Sequence, residues 1–315
     1  MHLSKTVAVV VPAYNESRLI EETLSTIPGY VDTIIVVDDA STDHTGSIVK
    51  TLMESDPRIV LVVHPVNQGV GGAIVTGYKE ALNREVGVTA VMAGDAQMDP
   101  DDLLHLVEPV CRDEVGYTKG NRLFTGEAWK MIPKVRYIGN AFLSLLTKGA
   151  SGYWHVADSQ CGYTAISKQA LQMISLDAIH KRYGMPNDML VKLNIENVGV
   201  RDVPVKPIYN IGEASGIRIW KHGPLILLLL LRGFVRRLFD KYVIKDFHPL
   251  VFFYFLGSLL TPAGIVFGLY LFAIRITGTP VAPTSALFAS FLFISGLQSL
   301  FFAMWFDMEY NKALK

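Results

Sequence analysis

The chain has 315 residues, enough for one large domain and an appendage, with 29 basic residues balanced by 29 acidic ones and a 50% hydrophobic content. Balanced charge gives no global field toward polyanions, so no nucleic-acid partner is expected. Two cysteines, Cys111 and Cys161, argue against a disulfide framework and for a reduced, cytosol-facing domain.

In chain order, "TVAVVVPAY" is a continuous apolar, β-branched run of the kind a buried parallel strand requires, and it reads as a first strand rather than a signal peptide. "ESRLIEETLSTI" follows with apolar residues at helical spacing. "VDTIIVVDDAS" and "TDHTGSIVKTLMESD" repeat the pair, "RIVLVVHPV" and "GGAIVTGYKEALNREV" form a third, and "VTAVMAGD" is a fourth strand. This series predicts an α/β domain with helices on both faces of a sheet and a ligand crevice at the strands' carboxyl ends. Polar residues collect at those ends: Asn15-Glu16, Asp38-Asp39, Asn67-Gln68 and Asp95-Gln97. Asp99-Pro100 has a local explanation, Asp as helix N-cap and Pro at the first helical position. Asp95 and Gln97 have none.

Beyond residue 215 the character changes. "GPLILLLLLRGFVRRLFDKYVIKDF" is an apolar run too short to span a bilayer, passing into a pattern interrupted by cations. It reads as juxtamembrane amphipathic helix over 216–247, its cations at headgroup level. His248 to Ile274 and Ser285 to Phe306 are each long enough to cross a membrane, so 248–315 is expected to be a two-helix transmembrane domain. Lys and Arg flank the soluble side of both spans, and the turn between them holds only Arg275. The positive-inside rule therefore places the soluble domain and both termini in the cytosol of an integral protein of the cell membrane.

The first strand lacks the dinucleotide fingerprint and the chain has no Walker A sequence, which disfavours a dinucleotide enzyme and an ATPase. Paired carboxylates after strands two and four suit another task, one acid receiving N–H groups of a base or sugar and the other holding a divalent metal against a diphosphate. In order and spacing, "VVVPAYNE", "VVDDASTDHTG", "NQGVGGAIVTGYKEAL" and "GDAQMDPDDL" resemble the successive blocks of family 2 glycosyltransferases with the GT-A fold. "KGNR", "DSQCGYTAIS" and "VPVKPIY" narrow the resemblance to the polyprenyl- and dolichyl-phosphate glycosyltransferase branch that contains dolichol-phosphate mannose synthase.

The resemblance implies a GT-A domain over 1–215, built on a mixed, mostly parallel sheet. It places Pro12, Tyr14 and Glu16 around the base and ribose, Asp39 with Asp38 on the nucleobase, and Gly69 at the donor. Asp95 and Gln97 would hold Mg²⁺ or Mn²⁺ on the donor diphosphate, with Asp95 counted among the catalytic residues. The branch's first motif Asp is Ala93 here, which puts a ribose or indirect contact in doubt. Arg122 and Arg136 align with the arginines that grip the lipid phosphate, and Asn140 stands where a serine is common. Asp158 would order the acceptor loop or orient an arginine. Glu213, Ser215 and Arg218 lie in a segment that closes over the donor in relatives.

The implied activity is an inverting transfer of one sugar from a nucleotide sugar, GDP-mannose or a UDP-hexose, to a polyprenyl or dolichyl phosphate at the cytosolic face of the lipid bilayer. A homo-oligomer is compatible with it. One rival keeps the transfer but takes a glycolipid hydroxyl as acceptor, which requires a general base. The other is a non-catalytic scaffold that binds nucleotide sugar, for which Ala93 is the best support.

Overall fold

The computed structural model describes residues 1–124, 134–208 and 219–315, without the side chains of 135, 136 and 219–222. It divides into two compact units, Met1–Val235 with Leu314–Lys315, and Arg236–Ala313.

In the first unit, β1 (Val7–Ala13), β2 (Thr33–Asp38), β3 (Ile59–Val63) and β4 (Val88–Val91) alternate with α1 (Ile20–Thr26), α2 (Thr45–Ser55) and α3 (Val70–Asn83). After β4 come α4 (Leu103–Cys111), β5 (Tyr117–Asn121), α5 (Lys134–Ser151), β6 (Thr164–Ser167), α6 (Lys168–Met173), α7 (Met185–Ile195) and β7 (Val200–Pro204). The strands form one seven-stranded sheet in the order β3-β2-β1-β4-β6-β5-β7.

The unbroken apolar runs follow from burial on both faces. Val7, Val9 and Val11 enter one core with Leu24, Val49, Leu106 and Val110, while Ala8 and Val10 enter the other with Ala73, Tyr78 and Leu190. A strand alternates its side chains between faces, so two cores require apolar residues at every position.

β6 is antiparallel to both β4 and β5, and β7 is parallel to β5. β5 and β7 therefore run in the same sense as β1 to β4, and the mixed, mostly parallel sheet matches the expected GT-A pattern. Six strands end at one edge. The register places that edge closely: Val91 of β4 and Lys119 of β5 both stand opposite Thr164 of β6. Val91 and Lys119 are therefore level, two strand spacings or about 10 Å apart, and the segments that carry Asp95 and Arg122 follow the ends of these two strands.

α8 (Ile219–Phe239) runs out of the first unit, its last residues from Arg236 belonging to the second, and a π-helical turn follows at Asp240–Lys245. The second unit is a helical hairpin of α9 (Leu250–Ile276) and α10 (Pro283–Tyr310), both long and apolar enough to cross a membrane. The pair packs through small residues. A Cβ on Gly264 would stand 2.5 Å from Phe293 N, and one on Gly296 would stand 2.5 Å from Thr261 N.

The charge pattern of the 216–247 stretch departs from the sequence reading. Arg236 is exposed, but Arg237 and Lys241 are buried rather than presented to headgroups. Arg237 pairs with both carboxylate oxygens of Asp307, at 2.7 and 3.0 Å, and Tyr242 Oη donates to the same carboxylate. Lys241 Nζ donates to Asn311 Oδ1 at 2.8 Å. A cation that finds a buried carboxylate gains more from it than from solvent, provided the remaining polar atoms are also paired.

Candidate active site

The loops after the parallel strands are tied to one another by side-chain-to-backbone hydrogen bonds. After β1, Asn15 N–H donates to Ser41 Oγ, Glu16 N–H to Thr45 Oγ1 and Ser17 N–H to Asp43 Oδ2, while Asn15 Oδ1 accepts from Thr42 N–H. Asn15 adopts a left-handed conformation with φ of 57°, which Asn tolerates better than most residues. Tyr14 beside it is 46% exposed. Pro12 is the last but one residue of β1, and its carbonyl accepts from Gly94 N–H, binding the β1 and β4 ends together.

Asp38 and Asp39 are both buried, and they have different partners. Asp38 Oδ1 accepts from Ser41 N–H and shapes its own loop. Asp39 reaches across to the loop after β3: Oδ1 accepts from Gln68 N–H at 2.8 Å and lies 2.7 Å from His64 Nδ1, and Oδ2 accepts from Gly69 N–H at 2.7 Å. His64 Nε2 is 2.9 Å from Thr76 Oγ1. Gly69 is fixed as glycine twice over, by φ of 89° and by the carbonyl of Lys181, which a Cβ would meet at 2.7 Å. The His64 link was not foreseen, and its only sequence signal is a histidine just past the third strand.

At the β4 tip, Asp95 Oδ1 accepts from Gln97 N–H at 3.1 Å, and Ala96 between them takes φ of 53°. This turn holds the Asp95 carboxylate against the backbone of Gln97, while Thr23 Oγ1 accepts from Ala96 N–H. Asp99 caps the next helical turn through Asp101 N–H, as its sequence context predicts. Carboxylates crowd here. Burial first, and then the charges of Asp95 and Asp43, push Glu16 up to about 7. Asp43 itself goes the other way: against burial, hydrogen bonds from Thr45 and Ser17 bring it down to about 2.

Past β5, Arg122 Nε donates to Asp158 Oδ2 at 2.7 Å and Nη2 to Asp158 Oδ1 at 3.1 Å. Asp158 is fully buried, and although burial opposes its charge, the Arg122 guanidinium holds its carboxyl below the usual range. Two of the five guanidinium donors are committed to this pair, which orients the plane. Arg136 belongs to the first turn of α5, but its side chain lies outside the described residues, as do Glu213, Ser215 and Arg218. Asn140 is half-buried one turn further along α5.

Asp202 on the edge strand β7 was not singled out by sequence. Its Oδ2 accepts from Asn121 Nδ2 and Ala157 N–H, both at 2.9 Å, so it grips the residues that precede Arg122 and Asp158. Burial raises its pKa from the ordinary 3.8 to about 6. A carboxyl raised on folding contributes most below its unfolded value and loses that contribution as pH rises through the folded one. The Asp202→Asn variant is therefore expected to flatten the fall in thermal stability between pH 3.8 and about 6, a term of about 1–3 kcal/mol. A melting profile with the wild-type slope in that window would show that Asp202 does not carry it.

The sequence model of the family described as "Glycosyl transferase family 2" matches residues 8–174, which contain the four strand-tip loops and the Arg122–Asp158 pair. The chain belongs to glycosyltransferase family 2. Among curated proteins, this glycosyltransferase is 32% identical over 218 residues to a UDP-N-acetylglucosamine–dolichyl-phosphate N-acetylglucosaminyltransferase of Methanococcus voltae, covering 65% of this chain and 86% of that one. It is 30% identical over 202 residues to an undecaprenyl-phosphate mannosyltransferase of Micrococcus luteus, covering 63% and 82%. Among solved structures, glucosyl-3-phosphoglycerate synthase of Mycobacterium tuberculosis, crystallised with Mn²⁺, UDP and glucosyl-3-phosphoglycerate, superposes with a TM-score of 0.52 at 18% identity, over 74% of this glycosyltransferase and 80% of the synthase. At that identity the likeness is one of fold.

Proposed function

We propose that this glycosyltransferase moves a single sugar from a nucleotide donor, GDP-mannose or a UDP-hexose, to a polyprenyl or dolichyl phosphate at the cytosolic face of the membrane. The carrying observation is the Arg122–Asp158 pair, a guanidinium with a fixed plane just past the end of β5, at the same edge of the sheet as the β4 end that Asp95 and Gln97 follow. The relatives that act on dolichyl and undecaprenyl phosphates support the acceptor class.

The residues at the β4 tip fit a divalent cation, Mg²⁺ or Mn²⁺. Asp95 and Gln97 offer hard oxygen donors from one turn. When bound, such an ion offsets the charge that builds on the leaving diphosphate.

The protein's own residues do the rest. Tyr14, Pro12 and Glu16 line the base and ribose, on a floor that Asp38 and Asp39 hold rigid through Ser41, His64, Gln68 and Gly69. Arg122, with Arg136 and Asn140 of α5, receives the acceptor phosphate and aims one oxygen at the anomeric carbon. A phosphate monoester is anionic at neutral pH, so attack proceeds without a general base, and an in-line approach inverts the carbon.

The test is a donor panel. Purified enzyme in detergent with Mn²⁺ and a polyprenyl phosphate is given labelled UDP-glucose, UDP-N-acetylglucosamine and GDP-mannose in turn. Label from one donor in the lipid phase supports the reading and names the sugar. Nucleotide binding without lipid product from any donor contradicts it for those sugars.

A further inference from the structure

Four consecutive residues that precede β6, Ala157 to Gln160, are each held by a different element. Ala157 N–H donates to Asp202 Oδ2 of β7 at 2.9 Å, and Asp158 takes the Arg122 guanidinium from beyond β5. Ser159 N–H donates to Ser144 Oγ of α5 at 3.2 Å, and Gln160 Nε2 donates to Asn187 Oδ1 of α7 at 2.7 Å. Asn187 closes the ring, because the same Oδ1 accepts from Thr147 Oγ1 of α5 at 3.0 Å. Asn187 lies fully buried in the first turn of α7, and its Nδ2 has no hydrogen-bond partner among the described residues. A buried amide with an idle donor costs stability that an apolar side chain of its size would not. What the amide supplies is its oxygen, which ties two elements together at one point.

We propose that Asn187 is a positioning residue for the transfer: through Gln160 and Thr147 it fixes α5, the helix that bears Arg136 and Asn140, relative to Arg122. The inference rests on the reading of Arg122 as a holder of the acceptor phosphate, and deepens it. Asp158 sets the plane of Arg122, and the two residues after Asp158 set α5, directly at Ser144 and by way of Asn187 at Thr147. Two points of attachment on one helix fix its direction as well as its place, whereas a single point leaves it free to pivot. Asn187 acts only through these neighbours, since it is fully buried. Both of its donors also have a second acceptor: Thr147 Oγ1 is 2.8 Å from the Leu143 carbonyl oxygen, and Gln160 Nε2 is 2.6 Å from Ser159 Oγ. Loss of the amide therefore leaves each donor with a partner, and its effect falls on geometry rather than on folding.

The test uses the full chain in detergent with Mn²⁺, a polyprenyl phosphate and the donor that the wild type accepts. Asn187→Leu, Gln160→Leu, their double variant and the isosteric Thr147→Val are compared with the wild type. Acceptor and donor are varied separately, and calorimetric nucleotide binding and thermal unfolding are followed beside the rates. In Asn187→Leu, kcat/KM for polyprenyl phosphate should fall about 10–100-fold, with a smaller fall in Thr147→Val. Donor KM, nucleotide affinity and melting temperature should stay close to those of the wild type. The double variant should be no worse than the worse single one, because both residues act through one bond. Wild-type acceptor kinetics in Asn187→Leu would overturn the inference. So would donor and acceptor KM rising together with a lowered melting temperature, which marks a structural role alone, or losses that multiply in the double variant. Should Asn187→Leu not fold, Thr147→Val decides, and wild-type acceptor kinetics there overturn the inference while leaving the acceptor reading intact. A wild type that transfers no sugar to polyprenyl phosphate would overturn both.

Discussion

Replacing Asp95 by Ala is expected to lower kcat by about 10³-fold or more while leaving the fold intact. The substitution removes the charged member of the Asp95–Gln97 turn and, with it, the acceptor of Gln97 N–H, so both proposed cation ligands are disturbed at once. The loops proposed to cradle the base are tied together elsewhere, by Asn15, Asp38 and Asp39, and metal-free nucleotide binding should change little. Asp95→Asn keeps the Gln97 hydrogen bond and loses only the charge, so its loss should be intermediate. Steady-state rates at saturating Mn²⁺, paired with calorimetric nucleotide binding, separate the two effects. A variant without Asp95 that turned over at the wild-type rate would place the cation, or the chemistry, elsewhere. It would also revive the scaffold reading that Ala93 invites.

The second large effect concerns stability. Arg237→Ala leaves Asp307 buried without its bidentate partner, and a buried carboxylate that loses its cation destabilises its surroundings by about 3–5 kcal/mol. The double variant Arg237→Met, Asp307→Leu removes both charges and should recover most of that loss. Thermal unfolding in detergent, read from the helical signal, gives the comparison. Equal melting temperatures for wild type and Arg237→Ala would mean that Tyr242 and Asn311 alone satisfy the carboxylate.

The central sheet was legible because its strands are buried on both faces, which forces continuous β-branched runs such as Val7–Val11 and Ile34–Val37. The sense of β6 was harder to read from its sequence, since "YTAIS" is equally good as a parallel or an antiparallel strand and only its partners decide. At the site, the Asp95–Gln97 turn could be read because both residues lie within three positions. The Asp39–His64 contact spans 25 residues and Arg122–Asp158 spans 36, so the first was missed, and Asp158 was noticed only through the motif it opens. The inward turn of Arg237 and Lys241 was missed for a related reason. Helical periodicity shows that a helix has two faces, but which face meets protein depends on what packs beside it.

The most direct measurement is the identity of the bond made. Enzyme is incubated with the active donor and an equimolar mixture of polyprenyl phosphate, the matching free polyprenol and diacylglycerol, and the lipid products are resolved by mass. The account predicts one hexose added to polyprenyl phosphate alone, in a product that mild acid splits back to free sugar and lipid phosphate, and loss of that product with Asp95→Ala. Transfer to polyprenol or diacylglycerol, giving an acid-stable glycoside with the phosphate lipid unused, would contradict it.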